Sequence, residues 1–257
     1  KNLVHTNYAV FFLYFCKNIC HPPMDSKGIL YLIPNKISEA PLDEVVPQRL
    51  VALVPTIKHY IVEDVRTVRR YLRQLNREVD IDSTTFYELN KHTIDTDISN
   101  YLDAAENGEN IGLISEAGLP CVADPGNVIV AMAHRKGIKV VPLVGPCSMM
   151  MALMASGLNG QNFAFNGYIP IDQPERTRKL RDLEARSRKE GQSQIFMDTP
   201  YRNNRLFDDL KATLSPQTML CIALNITSDD EFICTKSIAE WKREKLDLNK
   251  KPCIFII

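Results

Sequence analysis

Residues 114–126 read ISEAGLPCVADPG, and this stretch decides how the chain folds. An apolar run, IGL at residues 111–113, leads into it and breaks off in a polar loop punctuated by Gly118, Pro120, Pro125 and Gly126. A helix-compatible segment, residues 127–136, follows at once. A strand that hands over to a helix through such a loop puts the loop at the carboxyl edge of an open α/β sheet, where these sheets bind ligands. Glycine permits close backbone approach, and proline removes N–H donors. With Glu116 and Asp124 the loop therefore offers carbonyls, carboxylates and a few fixed N–H groups. That set suits a small ligand carrying positive charge; a polyphosphate calls for N–H groups and lysines. The plainer reading of the glycines and prolines is an ordinary tight turn.

Upstream, residues 28–34 (GILYLIP) are a continuous apolar run bounded by glycine and proline, the pattern of a buried strand. A helix-like stretch reaches from about Pro41 to Val54. Strands are expected at 59–63 and 84–87, flanking a helix over 64–77 that Asp64 opens, an acid suiting a helix N-terminus. An amphipathic helix is expected over 95–107, stopped by Gly108. A strand at 139–144 closes a first half in which strand and helix alternate, which argues for a mainly parallel sheet. The second half begins with a Met-rich apolar helix (146–156), a strand (163–168), a charged helix (174–189), a strand (194–197) and a helix (203–214). It then turns β-rich at 219–225, 231–235 and 253–257, around a short helix at 238–243, and so predicts a mixed sheet. The expected organisation is α/β: a domain over 24–144, a second over 145–257, and a hinge at Val144 and Gly145.

The first 23 residues read differently, with an eight-residue apolar run YAVFFLYF at 8–15 and no small-residue cleavage site after it. They are set aside as an N-terminal extension of uncertain status, the alternative being an extra element packed on the core. With 257 residues, 45% of them hydrophobic, the chain can bury a substantial core. Lys and Arg number 31 against 31 Asp and Glu, so no global basic field holds nucleic acid, and any RNA contact has to be a local patch. Seven scattered cysteines form no disulfide framework and fit reduced thiols in a cytoplasmic protein. Cys16, Cys20 and His21 lack further ligands at a workable spacing, so no metal site is expected. No segment approaches the ~20 apolar residues of a membrane span.

Five ordered segments carry a family resemblance. The stretch at 114–126 resembles the S-adenosylmethionine loop of the tetrapyrrole methylase superfamily, the class III methyltransferases. Within that superfamily it is most similar to the small-subunit ribosomal RNA cytidine 2′-O-methyltransferases, whose loop reads ISDAGTP and then DPG. VEDVR at 62–66 resembles that family's AEDTR, and PLVGPCSMMMALMASGL at 142–158 its PLPGPSALLAALSASGL. FAFNGYIP at 163–170 resembles FxFxGFLP, and MDTPYR at 197–202 resembles YESPHR. The resemblance implies S-adenosylmethionine in a cleft between the two domains, and a homodimer. It implies that Pro34, Ser115, Glu116, Ala117, Gly118, Val122 and Ala123 wrap one side of the cofactor, while Ser148, Met197 and Asp198 reach it from the other. The chain departs from the pattern at residues 33–40, IPNKISEA where the family has TPIGNL, and at Glu116, one methylene longer than the family's Asp. It departs most at 224–228, where LNITS replaces RELTK, changes that bear on substrate identity more than on cofactor binding.

Methyl transfer from a sulfonium is an in-line displacement that needs positioning more than a protein nucleophile. The absence of GxGxxG, GxxxxGK[ST] and GxSxG is consistent with that chemistry. Glu63 and Arg66, beside Asp64 at a strand end, are the candidate catalytic pair: a carboxylate to take or orient a hydroxyl proton, and a guanidinium for phosphate. Their competing reading is helix capping with a surface ion pair. In the 64–77 helix, Arg66, Arg70, Arg73 and Arg77 fall on one stripe opposite Val65, Val68, Leu72 and Leu75, a track for RNA phosphates in which Arg70 and Arg73 are the substrate-binding candidates. The basic helix at 174–189 reads as solvated surface, Trp241 as packing, and Met149, Met150 and Met151 as core filler. The function expected is S-adenosylmethionine-dependent methylation of a ribose 2′-hydroxyl in ribosomal RNA. Two alternatives stay open: a tetrapyrrole or other small acceptor on the same fold, and a paralogue that binds RNA or cofactor without turnover.

Overall fold

The computed structural model describes residues 27–90, 93 and 98–257; the expectations for residues 1–23 and for residues 95–97 lie outside them. The first sheet holds β1 (Ile29–Ile33), β2 (His59–Val62), β3 (Thr85–Glu88), β4 (Ile111–Ile114) and β5 (Lys139–Pro142), in the order β3-β2-β4-β1-β5. Every pairing in it is parallel, as the alternation of strand and helix predicts. β1 and β4 are apolar along their whole length because helices cover both faces of a parallel sheet. On one face lie α1 (Leu42–Val45), α2 (Gln48–Leu53) and α3 (Val65–Leu75), which pack Leu50, Val68, Tyr71 and Leu72 against Ile33, Tyr60 and Val62. On the other, α4 (Asp103–Glu106) and α5 (Asn127–Arg135) bring Ala105, Ile129 and Ala133 onto Leu30, Ile61 and Ile111.

The second sheet runs β6-β7-β10-β8-β9, from β6 (Phe163–Tyr168), β7 (Ser193–Met197), β8 (Met219–Leu224), β9 (Phe232–Ser237) and β10 (Cys253–Ile256). Only β6 and β7 pair in parallel, so the sheet is mixed. α7 (Gln173–Glu190), α8 (Asn203–Thr213) and α9 (Ile238–Trp241) cover one face, and α6 (Ser148–Ser156) covers the other with Met149, Ala152 and Leu153.

Local chemistry explains most boundaries. Asp64 caps α3 by accepting from Thr67 N at 2.7 Å, and α6 ends at Gly157 with φ +70°. The single helix expected toward Val54 is two, because Pro47 supplies no N–H and forces Val46 extended. Of the helix expected over 95–107, the described part is α4, far shorter, ending before Gly108 at φ +92°. Trp241 is fully buried, donating Nε1–H to Leu220 O at 2.9 Å and meeting Phe207 edge-on.

Candidate active site

The loops after β1 (34–40), β4 (115–126) and β5 (143–147) leave the same edge of the parallel sheet. β1 and β4 are neighbours whose connections run in opposite directions, which makes the gap between them the switch point where such sheets bind ligands. Asn35 fastens the two loops there. Its N–H donates to Gly118 O at 2.8 Å and its carbonyl accepts from Gly118 N at 3.1 Å. Its buried side-chain amide donates to Ser115 O (3.1 Å) and Glu116 O (2.9 Å). Gly118 has φ +68°, and a Cβ on it would come within 3.3 Å of Ile37 and 3.5 Å of Pro146 O. Gly145 passes so close to the end of β1 that a Cβ would lie 2.1 Å from that of Pro34. Tyr71, buried on α3, donates its hydroxyl to Pro34 O at 2.7 Å.

Between the two sheets these loops enclose a cleft of about 540 Å3, inside the ~300–1,000 Å3 usual for small-ligand sites. The parallel-sheet side supplies Ile37, Ser38, Glu39, Ala117, Gly118, Leu119 and Val122. Cys147, Ser148 and Met149 come from the start of α6. The mixed-sheet side supplies Tyr168, Met197, Asp198, the 223–230 loop and residues 252–254. Ser38 clasps the far wall across the cleft, its hydroxyl 2.8 Å from Thr227 Oγ1 and donating to Thr227 O at 3.2 Å.

Among the described residues the lining carries Glu39, Asp198 and Asp230 but no lysine or arginine. Asp198 is buried and accepts from Thr199 N (2.7 Å), Arg202 Nε (2.8 Å) and Arg202 Nη2. Asp230 accepts from Asn225 Nδ2 at 2.7 Å. Glu39 pairs with Lys36 at 2.6 Å, which holds its carboxyl below the usual range. Beside the cleft, at the ends of β2 and β4, stand Glu63, Asp64, Glu116 and Asp124. Burial, then the charges of Asp64, Glu63 and Asp124, push the Glu116 carboxyl up. Burial, then Glu63, push Asp124 up to about 6. A cluster of carboxylates of this kind favours a cation nearby.

Of the residues expected to hold a cofactor, Ala117, Gly118, Val122, Ser148, Met197 and Asp198 line the cleft together. Pro34, Ser115, Glu116 and Ala123 are not among its walls. Ser115 is buried beneath the loop, its hydroxyl within reach of Ala117 O (3.2 Å) and Gly118 O (3.4 Å), so it shapes the loop. Pro34 packs against Gly145. Glu63 lies in a shallow hollow with Ser115 and Pro125, and Arg66 is exposed at the start of α3; neither enters the cleft. Arg66, Arg70, Arg73 and Arg77 are all exposed, and among the described residues none lies within 4.0 Å of a carboxylate. Arg70, Arg73 and Arg77 border a depression with Lys36 and Ala40, which flank the 37–39 segment that lines the cleft. In the other basic segment Arg176 is buried, paired with Asp209 at 2.6 Å, while Arg178, Arg181, Arg186, Arg188 and Lys189 face solvent. Sequence reasoning missed Asn35, Ser38, Asn225, Asp230 and residues 252–254. For Asn225 and Asp230 the signal was a polar loop at the end of an apolar strand; for 252–254 there was none.

Residues 48–242 match the family described as Tetrapyrrole (Corrin/Porphyrin) Methylases. The ribosomal RNA small subunit methyltransferase I of Vibrio cholerae serotype O1 is 30% identical over 232 residues, 89% of this chain and 76% of that protein. Its counterpart from Escherichia coli O157:H7 is 27% identical over 236 residues, covering 91% and 78%. Among solved structures, the methyltransferase CobJ is similar in fold, with a TM-score of 0.58 over 89% of this chain and 93% of that one at 14% identity.

Proposed function

Because this chain belongs to the tetrapyrrole methylase family and is a methyltransferase, we propose that it binds S-adenosylmethionine in the cleft between its two sheets and methylates a ribose 2′-hydroxyl of small-subunit ribosomal RNA. The observation that carries this reading is the lining itself. The cleft at the switch point is mainly apolar, with Glu39 and Asp198 each held by a cation outside the lining and Asp230 by Asn225. With no basic side chain of its own among the described residues, it fits a nucleoside carrying a sulfonium and opposes a polyphosphate. Ile37, Leu119, Val122, Ile226 and Ile254 give the apolar surface a purine needs, and Gly118 leaves the cradle that a side chain would fill. The bound cofactor supplies an electrophilic methyl group on its sulfonium. The residues do the rest by position: the Asn35–Gly118 pairing, the Asp198–Arg202 pair and the Ser38 clasp hold the walls so that an acceptor oxygen can sit about 3 Å from the methyl carbon.

The RNA acceptor rests on the small-subunit relatives and on the exposed arginines of α3 beside the cleft. A tetrapyrrole, with its own carboxylates, calls for basic groups inside the cleft, and the described lining has none. Glu63 and Arg66 stand one loop away and in this reading meet the RNA rather than the methyl group. We infer further that the domains divide at Val144 and Gly145, that the protein is cytoplasmic, and that it is a homodimer. Among the described residues no helix is long and apolar enough to cross a membrane. Exposed Met154, Phe163 and Phe165, on α6 and the edge strand β6, offer a dimer face. Calorimetry with S-adenosylmethionine, followed by labelled-methyl transfer to isolated small ribosomal subunits, tests the reading. Binding followed by label in a ribose supports it, and binding with label appearing only in a small-molecule acceptor overturns the RNA assignment.

A further inference from the structure

The mixed-sheet side of the cleft mouth carries two aromatic rings that the fold leaves in water. Tyr168, after the bulge at the end of β6, lines the cleft yet is 58% exposed. Tyr201 follows Pro200, which also lines the cleft, and is 75% exposed. Burying rings of this size is strongly favourable, so Tyr168 at the cleft and Tyr201 beside Pro200 are available for a ligand. Arg202 follows Tyr201 in the chain. Asp198 holds its Nε and Nη2, and it lies within electrostatic reach of Tyr168. The guanidinium is therefore oriented by a buried carboxylate while remaining partly open to solvent. Across the mouth, past the 36–39 loop, runs the basic depression of Lys36, Arg70, Arg73 and Arg77.

We propose that Tyr168 and Tyr201, with the neighbouring Arg202, form a stacking platform for an unpaired nucleotide of the RNA acceptor. This rests on the methyltransferase reading above and deepens it. Single-stranded RNA is recognised by splayed bases stacking on tyrosine rings and arginine planes, with phosphates tracked by basic side chains. The two halves of that recognition lie on opposite sides of the cleft: rings on the mixed-sheet wall, arginines beyond the parallel-sheet wall. A ribose between a stacked base and a tracked phosphate is thereby presented to the cleft. Double-stranded RNA offers no free base face and does not fit this rim.

The test uses the full chain with S-adenosylhomocysteine present and a short, labelled, single-stranded pyrimidine RNA, read by fluorescence anisotropy. Tyr168→Ala and Tyr201→Ala each weaken RNA binding about tenfold, since a base stacked on an aromatic ring contributes on that scale. Tyr168→Phe and Tyr201→Phe stay within about twofold of wild type, because stacking needs the ring and not the hydroxyl. Calorimetric affinity for S-adenosylhomocysteine is unchanged in the two Tyr201 variants, whose ring is not part of the cleft lining, which separates lost stacking from a collapsed cleft. Equal RNA affinity in the alanine variants overturns the platform while leaving the methyltransferase reading intact. Wild-type protein that binds S-adenosylhomocysteine but no RNA overturns both the platform and the RNA acceptor. Alanine variants that sediment as monomers where the wild type is a dimer overturn the platform by making the tyrosines a subunit contact.

Discussion

At the scale of single residues, the loop after β4 separates side chains that shape the cleft from side chains that face it. Ser115 is buried and serves its own loop, so an arginine there would strand a charge in the interior and unfold the loop. Val122 is 41% exposed and faces the cleft. Val122→Arg is therefore the cleaner probe: its melting temperature stays near wild type while S-adenosylmethionine binding falls at least about a hundredfold, through steric filling and like-charge repulsion. Normal calorimetric affinity in that variant would move the cofactor elsewhere. Asp124, raised from 3.8 to about 6, has the opposite use. Between about pH 4 and 6 the folded chain keeps a proton that the unfolded chain releases, so stability falls as pH rises through that window and stays lower above it. The displacement corresponds to about 3 kcal/mol, reduced by solvent screening of a half-exposed group to about 1 kcal/mol. Asp124→Asn should then stabilise the protein by about 1 kcal/mol at pH 7 and by almost nothing at pH 4, as measured by urea unfolding. A gain of equal size at both pH values would rule out this ionisation as the cause.

At the scale of elements, α3 shows how much of an amphipathic helix can be read from spacing. Val68, Leu72 and Leu75 go to the core and Arg66, Arg70, Arg73 and Arg77 to solvent, as a period of 3.6 requires. What spacing could not show was Tyr71, whose phenol reaches Pro34 and ties the helix to the cleft. The arginines touch no described carboxylate within 4.0 Å, so removing two of them should leave stability unchanged. Arg70→Gln with Arg73→Gln should lower the slope of log affinity for single-stranded RNA against log salt by about 1.4, on roughly 0.7 per phosphate contact. An unaltered slope would make the stripe ordinary surface. Helical spacing overstates the segment 95–107, where the described helix is confined to Asp103–Glu106. Loops resisted it too: the wall formed by Asn225 and Asp230 follows a strand that sequence marks only as apolar.

At the scale of the whole molecule, the cleft exists because two sheets with separate cores are fastened across it. Ser38 to Thr227 is a hydrogen-bonded contact that spans it, between loops 189 positions apart in sequence. Removing that hydroxyl costs about 1 kcal/mol of hydrogen bonding, so Ser38→Ala should weaken S-adenosylhomocysteine binding about fivefold in calorimetry. Unchanged affinity would mean that the clasp does not hold the cleft in its binding geometry. By itself the sequence determined two α/β units, a parallel sheet followed by a mixed one, and a glycine- and proline-punctuated loop after a strand at 114–126. Those features are local: apolar runs, helical periods and glycine or proline stops act over a few residues and need no distant partner. Only the tertiary structure decided which polar groups meet. It set Asn35 against Gly118, brought residues 252–254 to the cleft through the central position of β10, and turned Ser115 inward while leaving Tyr168 and Tyr201 in water. Contacts between segments remote in sequence follow from strand order and from which faces are buried, and no local pattern encodes either.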